Sequence, residues 1–166
     1  MRKGSIDCGG GLILRPASAE DVAWVHAHLR EGDRLEHEFG KSALAVASRG
    51  REVAVEQDGR LVGYAGGMPL QNESVMSRRR FVYYLSTTVA DEMKVWYVKR
   101  SRDAMRAFLR TAPKWVDEFI TVPMLKYRGA VIWLERVLGF REVEDFTWHG
   151  ERFAVYSLAR KEMEAR

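Results

Sequence analysis

Residues 130–144 read AVIWLERVLGFREVE. Val131, Leu134 and Val137 or Leu138 recur at helical spacing, which predicts a helix from about Arg128 to Leu138 with one buried face. Gly139 then suits the left-handed position just past a helix end, and Phe140 would pack back on the helix it follows. Next come REVEDFTW and ERFAVYSLA, two alternating runs around His149-Gly150, which predict a closing β-hairpin.

Upstream, Phe119 to Val122 reads as a short strand that Pro123 interrupts, because proline has no N–H for a ladder. A long helix precedes it. It starts at Asp91 or Glu92, buries Val95, Val98, Met105, Phe108 and Leu109, and ends before Pro113. RFVYYLSTT (Arg80 to Thr88) has the β-branched and aromatic content of a buried strand, and Pro69 to Arg80 reads as the exposed loop leading into it. EVAVEQ and RLVGYAGG flank Asp58-Gly59, the signature of a type I′ hairpin.

Gly32 and Gly40 bracket a short polar helix carrying Glu36, His37 and Glu38, and SALAVAS reads as one more helical turn. At the front, Leu12 to Arg15 is a strand stopped by Pro16. Ser18 is the N-cap of the next helix, with Asp21 completing a capping-box-like pair. Residues 1–10 read as a loose leader, since its glycines are costly to order; 11–159 form one domain, and the charged tail 160–166 is expected to fray.

The element order is therefore β, α, α, β, β, β, α, β, α, β, β. It predicts an α/β (α+β) fold with a mixed, mostly antiparallel sheet of six or seven strands and about four helices. At 166 residues one domain is expected, with a core that needs no staples. A single cysteine, Cys8, cannot form an internal disulfide, which favours a reducing compartment. No apolar run is long enough to span a membrane, and no signal peptide is expected. The four histidines lack metal-type spacing, so no metal is expected. The net charge of +4 permits attraction to nucleic acid, to phosphates or to an acidic partner.

The opening LILRPASAEDVAWVHAHLR and the tail AVIWLERVLGFREVE together resemble the GNAT (N-acetyltransferase-like) superfamily, over roughly Leu12 to Leu158. RPASAEDVAWVHAHLREGDRLE, with FLR and IWLERVLGF, more narrowly resembles the GNAT-like proteins of short-tailed bacteriophages, grouped with an internal virion or morphogenesis protein. The resemblance implies an acyl-CoA site after the fourth strand, where such enzymes carry a glycine loop that binds the pyrophosphate. Here TTVADEMKVWYVKRSRDAM contains no glycine, and Asp91 and Glu92 would repel a diphosphate at the helix start. Arg128 and Glu135 stand where the family usually has Asn and the Tyr that protonates the departing thiolate; Tyr127 is out of register.

Removing a proton from an acceptor amine needs a base, and the substrate-side helix offers Glu36, His37 or Glu38. Ser86 and Thr87, late on the central strand, would approach a bound thioester. Thr88 and Val89 would lie against acetyl-CoA, and Lys99, Arg100 and Arg102 would replace the glycine-loop contacts with side-chain charge.

Two readings follow from the resemblance. One is a phage scaffold with a degenerate acetyl-CoA site, binding a phage or host protein in virion morphogenesis, in the host cytoplasm or the virion. The other is an active acyl-CoA-dependent N-acetyltransferase acting on a protein or small amine. A third rests on charge: Lys99, Arg102, Arg106 and Arg110, with Arg78, Arg79 and Arg80, form a basic stripe suited to nucleic acid.

Overall fold

The computed structural model describes residues 4–29, 34, 35, 38, 51–69, 80–86 and 94–165, with backbone alone at 51, 68, 69, 80–86 and 94–99. In chain order the elements are β1 (Ile6–Asp7), β2 (Leu12–Pro16), α1 (Ala19–Ala27), β3 (Arg51–Gln57), β4 (Arg60–Pro69) and β5 (Arg80–Ser86). Then follow α2 (Lys94–Arg110), β6 (Glu118–Thr121), α3 (Arg128–Ile132) running into a π-helical turn (Trp133–Leu138), β7 (Arg141–Trp148), β8 (Glu151–Ala159) and α4 (Arg160–Ala165). Arg34, Leu35 and Glu38 also have helical backbone. The reading of SALAVAS and of the loop after Pro69 falls outside the described residues.

The strands form one sheet in the order β1-β2-β3-β4-β5-β6-β8-β7. Every neighbouring pair is antiparallel except β5 and β6. The sheet is thus two antiparallel halves joined by one parallel seam. Both hairpins turn as their sequences predict: Asp58 and Gly59 have φ of 50° and 77°, His149 and Gly150 of 51° and 78°.

Period-two alternation sends side chains to both faces of the sheet. On one face Val25 of α1 and Leu29, just past its end, pack against Tyr64. On the other, Met105, Phe108 and Leu109 of α2, Leu134 and Leu138 of the π turn, and Met163 of α4 pack on Leu14, Val55, Phe119, Tyr156 and Leu158.

Gly139 closes the π turn at φ 86°, with its N–H and that of Phe140 both bonded to the Leu134 carbonyl. A side chain there meets the left-handed penalty, so Gly139→Ala is expected to lower stability by about 1–2 kcal/mol, read as a shifted urea midpoint at unchanged slope. Asn at this position should cost less, since it tolerates that conformation better.

Two expectations are corrected at the ends of the chain. The leader is not loose from Ile6 onward: Ile6 pairs with Leu14 and Asp7 with Ile13. Two of the glycines that suggested looseness, Gly9 and Gly10, build the turn together with Gly11, all three at positive φ. A Cβ on Gly11 would overlap the Asp58 carboxylate.

The tail does not fray at its start: Arg160 begins a helix and Met163 is buried. Arg160 reaches the carbonyls that α2 and its exit leave open, donating to Val116 O at 2.5 Å and Pro113 O at 2.8 Å, with Ala112 O at 3.4 Å. Arg160→Ala should therefore cost about 2 kcal/mol in thermal or urea unfolding, and Arg160→Lys should recover only part, because an ammonium cannot fork across several carbonyls.

Candidate functional site

The parallel seam is short. Among the described residues, only Arg80↔Glu118, Phe81↔Phe119 and Val82↔Ile120 pair across it. Beyond them β5 stays with β4 as far as Ser86↔Tyr64, while β6 stays with β8. Pro123 lies where β6 leaves the ladder, and the chain then follows β8: Ala154 N–H donates to Pro123 O at 3.2 Å and Leu125 N–H to Arg152 O at 2.8 Å. The sheet consequently opens at the carboxyl ends of its two parallel strands. Among the described residues, no strand pairs with the β6-facing edge of residues 83–86. Crevices beyond the carboxyl ends of parallel strands are where open sheets commonly receive ligands.

Of the residues singled out from sequence, Ser86 is the last residue of β5, on this edge. Thr88, Val89 and Glu36 lie outside the described residues, as do His37, Thr87, Asp91, Glu92 and the arginines 78 and 79. Glu38 is exposed on helical backbone. Lys99 is on α2.

The surroundings of Arg100, Arg102 and Arg106 on α2 differ. The Arg100 guanidinium packs on the β1–β2 turn, where a Cβ added to Gly10 would come within 2.8 Å of it. Arg102 is exposed and lies 3.8 Å from its neighbour Asp103. The basic stripe is also broken, because Arg106 is only 8 % exposed. Helical spacing alone does not show that Arg106, unlike the exposed Arg102 and Arg110, is largely buried.

A second feature had no sequence signal of its own. Leu125, Arg128, Val131, Ile132, Glu135, Arg136, Glu142 and Tyr156 line an open groove of about 410 Å³ between α3 with its π turn and the β7–β8 hairpin. Arg128 and Glu135, the two departures from the family pattern, are both here. Tyr156 is fully buried, yet its hydroxyl reaches Glu135 Oε1 at 3.0 Å and Glu142 Oε2 at 3.1 Å. Burial, and then the two carboxylates, push its phenol above the ordinary tyrosine value, so it stays protonated at neutral pH. The alternation of β8 could have shown Tyr156 facing inward. Its meeting with Glu135 and Glu142 depends on the return of the chain after Gly139, which no local pattern encodes.

Trp133 fixes the π turn to α2 by donating its indole N–H to Ser101 Oγ at 2.7 Å. Among the described residues there is no group of three or more His, Cys, Asp or Glu placed to hold a metal, and no helix long and apolar enough to cross a membrane.

No family model matches the chain, and no curated protein matches it in sequence. Solved structures do match its fold. An aminoglycoside N(6′)acetyltransferase from Legionella pneumophila superposes with a TM-score of 0.67 at 10% identity, covering 95% of this chain and 96% of that one. A probable acetyltransferase gives 0.65 at 16% identity, covering 95% and 98%. The spermidine N-acetyltransferase of Vibrio cholerae, solved with CoA and spermine, gives 0.59 at 16% identity, covering 94% and 99%. The fold is accordingly GNAT-like, and at these identities the likeness extends to the fold alone.

Proposed function

We propose that the protein is an acyl-CoA-dependent N-acetyltransferase acting on an amine. The observation that carries this reading is the opened seam: pairing between β5 and β6 ends at Val82↔Ile120, while β5 continues four residues further to Ser86. That edge offers backbone donors and acceptors to an amide-bearing chain such as the arm of CoA, in the manner of an added strand. Several superposable structures are acetyltransferases, and four were solved with CoA or acetyl-CoA.

When bound, acetyl-CoA supplies an activated carbonyl for attack by a neutral amine. The backbone of residues 83–86 would hold and orient it, and Ser86 ends that edge. Glu36 and Glu38 are the proposed bases that take the amine proton. Thr88 and Val89, just past the described end of β5, remain proposed cofactor contacts. Lys99, Arg100 and Arg102 of α2 remain proposed side-chain contacts to the phosphates of the cofactor.

The alternative, a virion-assembly scaffold with a degenerate cofactor site, rests on the sequence resemblance to phage proteins. It turns on the glycine-free loop after Ser86, which falls outside the described residues.

Titration calorimetry with acetyl-CoA separates the two. A micromolar dissociation constant, together with displacement by CoA, is expected. No heat up to millimolar acetyl-CoA would abandon the enzyme reading in favour of the scaffold.

A further inference from the structure

We propose that α3 and its π turn form a self-complementary docking face, and that its occupant is a second copy of this chain. The proposal does not rest on the acetyltransferase reading.

None of the residues of α3, Arg128–Ile132, is buried, and a Cβ added to Gly129 would meet nothing within 4 Å. A short helix is marginal in water by itself and is ordinarily held by burying an apolar stripe. Here the stripe is only partly covered. Val131 is half-buried, and Ile132 is 47 % exposed, one of the few large apolar side chains so open to solvent among the described residues.

The charges beside that stripe say what fits it. Arg128, Val131, Ile132 and Glu135 all line the same groove and therefore share one face. Along it they read basic, apolar, apolar, acidic. A helix that meets its own copy across a perpendicular two-fold axis runs antiparallel to it, so that residue i faces j and j faces i. With the axis between Val131 and Ile132, Arg128 of each copy faces Glu135 of the other, and Val131 of each faces Ile132. Two Arg–Glu pairs then flank an apolar centre. A parallel copy would set Arg128 against Arg128 and Glu135 against Glu135, which like-charge repulsion disfavours. Both charges are open to this pairing. Among the described residues Arg128 has no ion pair. Glu135 accepts from the Tyr156 hydroxyl at Oε1, which leaves Oε2 for a guanidinium.

Sedimentation velocity of the full chain over a range of concentrations tests this. A reversible dimer is expected, with a dissociation constant on the order of 100 μM, because the face is small beside that of a permanent interface. Ile132→Lys, at an exposed position, should weaken association about tenfold or more. Arg128→Glu and Glu135→Arg, each alone, set like charges at both pairs and should weaken it similarly. An equimolar mixture of those two variants presents opposite charges at both pairs, so the mixture should associate at least as well as the unaltered chain. Circular dichroism checks that each variant folds.

A chain that stays monomeric up to about 1 mM overturns the proposal and leaves the face to a different partner. A dimer that Ile132→Lys does not weaken also overturns it, since the contact then lies elsewhere. So does a mixture of the two charge variants that remains monomeric while the unaltered chain dimerises.

Discussion

Asp21→Ala is expected to destabilise the protein by about 3–5 kcal/mol at neutral pH, far more than loss of a helix cap alone. Asp21 does cap α1: Ser18 Oγ accepts from the Asp21 N–H, and Ser18 N–H donates to Asp21 Oδ2 at 2.7 Å. It also receives a fork from Arg15, whose Nη1 and Nη2 lie 2.5 and 2.8 Å from its two oxygens. Arg15 Nε bonds Glu56 on β3 at 2.6 Å. The three residues tie β2, the start of α1 and β3 together, and the Arg15 side chain is only 9 % exposed. Removing Asp21 leaves a buried guanidinium with half its partners.

The effect should depend on pH in a definite direction. The Arg15 bond, opposed by burial and helped by Ser18, holds the Asp21 carboxyl well below the usual carboxylate range. A depressed folded-state value contributes stability above the unfolded value, and that stability is lost as pH falls below about 4. Urea titrations at pH 7 and pH 3 should therefore show the gap between the unaltered chain and Asp21→Ala narrowing at the lower pH. An equal gap at both would mean that the ion pair is not what the alanine removes.

What sequence revealed here, and what it hid, divides by range along the chain. The Ser18–Asp21 cap, the two hairpin turns and the Leu138-Gly139-Phe140 helix end were legible because each is set within about six residues by backbone sterics and side chain–backbone bonds. Gly9 and Gly10 were misread because the same permissiveness that makes glycine costly to order also makes it the residue for a left-handed turn. Which outcome holds depends on β2 and on Arg100, which a composition argument does not include. The tail was misread similarly: its charge hid Met163 and the reach of Arg160 back to the end of α2. The candidate site was least legible. The seam exists because Pro123 lies where β6 departs, and proline alone indicated an interruption without saying which neighbour would be lost. The groove brings together residues from a π turn and two strands, and a π turn changes which helix positions share a face.

The seam itself supplies the other large effect. Phe119→Ala should cost about 3–5 kcal/mol, because the ring is fully buried and its loss leaves a cavity that the sheet cannot readily close. Phe119 pairs with Phe81 on one side and Leu158 on the other, and the Arg160 guanidinium lies 5.3 Å over its ring. It is thus the middle residue of the three that hold the two halves of the sheet together. Loss of its ring should weaken that joint before it weakens either half. Hydrogen exchange should accelerate at residues 80–82 and 118–120 more than at the β3–β4 pairs around Ala54 and Tyr64. Leu12→Ala, which also empties a fully buried position but within the first half, is the control: it should lower global stability without singling out the seam. Uniform acceleration in Phe119→Ala would mean that the sheet opens as one unit. The cleft would then be a fixed feature of the fold, where the short seam predicts a joint that a bound ligand can tighten.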